Sequence, residues 1–95
     1  MEEEKVVLSK IPPNDIVAEQ AVLGSMLVDT EAVIKAIEVL QPTDFYREDN
    51  REIYTTMLEL YGRGKPIDFL TVKENLKLRG VLEKVGAEEY LSSLI

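Results

Sequence analysis

Apolar residues recur every third or fourth position through most of this chain, and proline, glycine and acidic residues punctuate the runs. That period belongs to α-helices, and no run alternates as a half-buried strand would. Residues 1–13 carry no sustained period and are expected to form a flexible N-terminal tail ahead of a helical domain over residues 14–95. In Ile11-Pro12-Pro13-Asn14-Asp15 the proline pair fixes an extended entry, and Asn14 and Asp15 offer oxygens to cap a first helix. That helix is predicted over residues 15–27. Ile16, Gln20, Leu23 and Leu27 form one stripe, with Val17, Ala21, Gly24 and Val28 beside it. Gly24 inside a helix costs about 1 kcal/mol relative to alanine. A neighbouring backbone packed against it would offset that cost.

Asp29 and Thr30 offer the next cap. Ala32, Val33, Ala36, Ile37 and Leu40 make the inner face of a second helix, which Gln41-Pro42 ends. Thr43-Asp44-Phe45-Tyr46 reads as a tight turn whose two aromatics plug the core. A third helix is predicted over residues 48–61, where Glu48, Asp49 and Glu52 suit the positive end of its dipole. Ile53, Met57 and Leu60 line its inner side, Tyr54, Leu58 and Tyr61 flank them, and Gly62-Arg63-Gly64 stops it. After an extended Lys65-Pro66-Ile67, Asp68 caps a fourth helix that carries Phe69, Leu70, Val72 and Leu76 inward and ends at Gly80. Residues 81–85 form a short helical or turn segment closed by Gly86. A last helix starts near Ala87 and shows Tyr90, Leu91, Leu94 and Ile95. The fold class is therefore all-α, a compact orthogonal bundle of five to six short helices. Nothing caps the last helix, so the chain is expected to be a piece of a longer protein whose start is Met1.

Composition narrows the function. The 95 residues, 45% hydrophobic and 31% charged, suit one small globular domain. Cysteine and histidine are both absent, which removes disulfides, thiolate metal sites and the commonest general base. The acidic start Met1-Glu2-Glu3-Glu4 is unlike a secretion signal, and no apolar run approaches the roughly 18 residues of a membrane span. A soluble, cytoplasmic protein is expected. The net charge of -7 opposes binding to a phosphate backbone. Residues 63–84 depart from it, with six basic side chains against three acidic ones. Lys73, Lys77 and Arg79 lie there, as a solvated helical face or as a docking patch for an acidic partner.

Catalytic patterns fail one by one. The Gly64-Lys65 pair is followed by Pro66 where a phosphate-binding loop needs a hydroxyl, and Glu59 stands where its first glycine belongs. Gly62-Arg63-Gly64 begins a dinucleotide fingerprint, but Ile67 takes the third glycine position and no strand precedes it. Glu48-Asp49 and Glu88-Glu89 are adjacent on helices and do not converge; first-turn placement explains them as complements to the dipole. Ser9, Ser25, Ser92 and Ser93 have no histidine to activate them. Read as the recognition element of a helix-turn-helix unit, residues 69–79 would supply Lys73, Lys77 and Arg79 to phosphates, but only Asn75 to base edges.

Four blocks occur in order: Ala18-Glu19-Gln20-Ala21-Val22-Leu23-Gly24 behind the Pro12-Pro13 entry, Asp44-Phe45-Tyr46-Arg47, Arg63-Gly64-Lys65-Pro66-Ile67-Asp68 running into Thr71-Val72, and Val85-Gly86 with Tyr90-Leu91. Over residues 11–95 this ordered set resembles the N-terminal domain of bacterial replicative DNA helicases of the DnaB family. The resemblance implies a non-catalytic collar domain that supports assembly of a hexameric ring, as a trimer of dimers, and docks primase. A helicase loader is a further implied partner. It also implies a helical hairpin, a linker and a RecA-like motor beyond Ile95, with ATP and Mg²⁺ bound by the motor and no cofactor in this chain. Neither direct DNA binding nor membrane association is expected of this piece. The first two blocks take core and scaffold roles. Tyr90, an aromatic with a polar tip, is the candidate partner contact, with Lys73, Lys77 and Arg79 beside it; a core role for Tyr90 fits equally well. Val17 departs from the family, where a glutamate is frequent. The competing readings are a free-standing helical adaptor and a helix-turn-helix DNA-binding domain.

Overall fold

Three aspartates start three of the helices. In the computed structural model, which describes Ile11 and residues 14–95, the Asp15 side chain accepts the Ala18 amide at 2.9 Å. Asp29 accepts the Glu31 amide and Asp68 the Thr71 amide, each also at 2.9 Å. These caps open α1 (Ile16–Val28), α2 (Thr30–Val39) and α4 (Phe69–Leu78). Between α2 and α4 lie a 3-10 turn, Pro42–Asp44, and α3 (Glu48–Gly62). Residues 82–86 are turns, and α5 (Ala87–Ser93) follows. The described residues contain no strand, and none of their helices is long and apolar enough to cross a membrane.

α3 and α4 stop in the same way. Gly64, at φ +69°, donates to the Tyr61 carbonyl at 3.0 Å while Lys65 donates to Leu60 at 2.9 Å. Gly80, at φ +75°, donates to Lys77 and Val81 donates to Leu76, both at 3.0 Å. This paired closure needs a left-handed residue just past the helix, which glycine supplies without steric cost.

Val22, Leu23 and Met26 of α1 meet Ala36, Phe45, Ile53, Tyr54, Met57, Val72, Leu76 and Leu91 in one core. Phe45 and Tyr54 stack at 4.7 Å between ring centroids. The Tyr54 hydroxyl donates to the Leu40 carbonyl at 2.8 Å, satisfying a group at the end of α2. Burial pushes the Tyr54 pKa up to about 12, and the Asp44 charge adds to the effect.

Four details depart from the sequence reading. The buried face of α1 is Ala18, Glu19, Val22, Leu23, Gly24, Met26 and Leu27, whereas Val17, Ala21 and Val28 face solvent. Apolar residues surround this helix on nearly every side, so its period alone does not set its phase. Tyr46 and Leu70, expected inside, are exposed. Ile11, assigned to the tail, packs in the core. The rest of that proposed tail, residues 1–10, 12 and 13, lies outside the described residues.

Candidate functional site

Glu19 is fully buried on the inner face of α1. Its carboxylate accepts the backbone amide of Tyr46, that of Arg47 at 3.4 Å and the side-chain amide of Asn50 at 2.8 Å. Arg47, which precedes α3, supplies no capping oxygen of its own. Glu19 therefore ties the segment that enters α3 to another helix, with its carboxylate near the positive end of the dipole. From Asn50 the chain of hydrogen bonds continues: Oδ1 of Asn50 accepts the Tyr90 hydroxyl at 2.5 Å, and that hydroxyl accepts Nε2 of Gln20 at 3.3 Å. The Arg47 guanidinium lies 5.3 Å from the Tyr90 ring centroid. It also pairs with Asp49, whose hydrogen bond raises the Arg47 pKa above its ordinary value. Among the described residues no buried side-chain polar atom is left without a partner.

Tyr90 thus sits half-buried with both its hydroxyl and its ring engaged. Of the basic candidates, Lys73 pairs with Glu88 at 3.5 Å and lies 5.9 Å from the Phe69 ring centroid. Arg79 turns back onto α3, where it bonds Thr56 and reaches Glu52 at 2.8 Å and Glu59 at 3.6 Å. Lys77 is exposed and, alone of the three, forms no ion pair among the described residues. The candidates do not converge on one site: Tyr90 belongs to a polar network, Arg79 to the α3–α4 contact, and Lys77 to open surface.

A groove of 690 Å³ runs between the α1–α2 corner and the α3–α4 connection. Leu27, Val33 and Ile67 floor it, and Val28, Ile34 and Tyr61 stand exposed along it. Gly64 and Lys65 also line it, yet they cannot cradle a phosphate. Their amides are spent closing the C-terminal end of α3, where the dipole is negative and repels an anion. Three of the four adjacent carboxylates are likewise engaged: Glu48 pairs with Lys84 at 3.1 Å, Asp49 with Arg47, and Glu88 with Lys73. No group of three or more acidic side chains among the described residues is placed to hold a metal ion.

Sequence reasoning placed Glu19 in a scaffold block and Gln20 on an apolar stripe, and it passed over Asn50. The sole local hint was two polar residues in the middle of an apolar helix.

Comparison with known proteins agrees with this architecture. Residues 11–95 match the family model described as the DnaB-like helicase N-terminal domain. The chain is 45% identical over 84 residues to the replicative DNA helicase DnaB of Mycobacterium leprae, covering 88% of this chain and 14% of that protein. It is 45% identical over 85 residues to DnaB of Geobacillus stearothermophilus, covering 90% of this chain and 19% of the relative. The chain therefore spans less than a fifth of these relatives' length. The crystal structure of the N-terminal domain of DnaB helicase from Mycobacterium tuberculosis superposes with a TM-score of 0.84 at 46% identity, covering 88% of this chain and 58% of that one.

Proposed function

The chain belongs to the DnaB-like helicase N-terminal domain family, and on that premise we propose that it is a non-catalytic collar domain, supporting ring assembly and primase docking in DNA replication. The observation that carries this reading is the match over residues 11–95, at 45% identity to replicative helicases, on a fold superposing at a TM-score of 0.84. The geometry fits a presenting body. Three helices start on aspartate caps, the interior polar groups satisfy one another, and the exposed apolar side chains Val28, Ile34 and Tyr61 gather at one groove. Carboxylates bound up in ion pairs and helix capping are poorly placed for acid–base work.

In this reading the parent protein is an ATP-dependent DNA helicase of the cytoplasm, and its ATP and Mg²⁺ belong to a separate motor. Its partners are other helicase subunits, primase and a helicase loader. The engaged amides of Gly64 and Lys65 favour placing nucleotide elsewhere. The test is deletion of this domain from the parent helicase. ATP hydrolysis by the motor should persist while primase no longer co-sediments. Primase that stays bound after the deletion would overturn the assignment.

A further inference from the structure

The helix α5 follows a backbone joint in which Gly86 and Ala87 both have positive φ, +89° and +57°. Alanine resists that conformation, so other contacts hold the joint bent: Ala87 donates to the Leu82 carbonyl at 2.9 Å, and α5 is docked on the core. Beyond the Lys73–Glu88 ion pair and the Gln20 and Arg47 contacts to Tyr90, α5 is docked by buried Leu91, by the Leu94 carbonyl against Gly24 and, as the third contact, by the Tyr90 hydroxyl on Asn50.

The third contact reaches further than α5. Asn50 is fully buried, and its amide can be turned either way round. Glu19, which only accepts, fixes the amide with Nδ2 toward itself, and the Oδ1 left on the other side takes its hydrogen bond from the Tyr90 hydroxyl. Glu19 in turn holds the backbone amides of Tyr46 and Arg47, and Tyr46 is an exposed aromatic. We propose that α5 is a latch whose docking is transmitted through Asn50 and Glu19 to the Tyr46–Arg47 surface. Release of α5 leaves the buried Oδ1 of Asn50 without its donor, which loosens Asn50 on Glu19 and with it the Tyr46–Arg47 entry to α3. Capture of Tyr46 and Arg47 by a partner would act in the reverse direction, because a coupling between two sites is reciprocal. This goes beyond the docking role and stands independently of it.

Native-state amide exchange on the 95-residue chain tests it, with Tyr90→Phe removing the hydroxyl and Leu91→Ala loosening α5 without touching the network. In both variants the Tyr46 and Arg47 amides should exchange about fivefold to tenfold faster, the change expected on losing one buried hydrogen bond. The last two turns of α3 should keep their protection. Acceleration confined to α5 would overturn the latch, and so would uniform acceleration of every amide. If Leu91→Ala fails to fold, Tyr90→Phe decides alone.

Discussion

The carbonyl oxygen of Leu94 occupies the space beside Gly24: a β-carbon on that glycine would lie 2.0 Å from it. Backbone atoms cannot swing aside as a side-chain tip can. Alanine in an exposed helix would gain about 1 kcal/mol over glycine. Here overpacking reverses the sign, and Gly24→Ala should cost about 1–3 kcal/mol. A lower urea midpoint with unchanged slope is the expected outcome.

Glu19 is a buried charge matched by three donors, so removing the acceptor leaves those donors unpaired. Glu19→Ala should destabilise the domain by about 3 kcal/mol, and Glu19→Gln by roughly 2 kcal/mol because one oxygen remains. Nuclear magnetic resonance should place the largest amide shifts at Tyr46 and Arg47.

The local parts of this fold were legible in the sequence. Asp15, Asp29 and Asp68 announce their helices because a cap needs one side-chain oxygen at a fixed offset. Gly64 and Gly80 mark the ends of α3 and α4 for an equally local reason. Gly24 pointed to a close backbone contact, although not to Leu94 as its partner. The polar network stayed hidden, because Glu19, Asn50 and Tyr90 are separated by 31 and 40 positions and no period links them. The phase of α1 was missed for a different reason: Val17 and Val28 are as apolar as the core residues, and only the packing partners decide which side is buried.

Tyr54 makes stability sensitive to alkali. Its folded-state pKa is raised to about 12 from an ordinary 10, so the folded protein holds that proton more tightly than the unfolded chain. The contribution is fully present below pH 10 and is lost as pH rises toward 12. Two pH units correspond to roughly 2–3 kcal/mol. Tyr54→Phe should be less stable at pH 7, by about 1 kcal/mol for the lost hydrogen bond. The gap between the proteins should close just above pH 10 and reverse by about pH 12 in parallel urea titrations.

Arg79 and Lys77 separate structure from surface. Arg79 holds α4 onto α3 through Thr56, Glu52 and Glu59, so Arg79→Ala should cost about 1–2 kcal/mol. Lys77→Ala should change stability by less than about 0.5 kcal/mol. Thermal melts of the two variants side by side check the contrast. Lys77 is thus the cleaner position for probing partner binding.

Sedimentation velocity tests the collar assignment most directly, comparing the 95-residue chain with the full-length helicase, each with and without primase. The account predicts a monomer or weak dimer for the short chain, and ring-sized particles that carry primase only for the long one. A stable hexamer of the 95-residue chain, or a full-length protein that never assembles beyond a monomer, would contradict it.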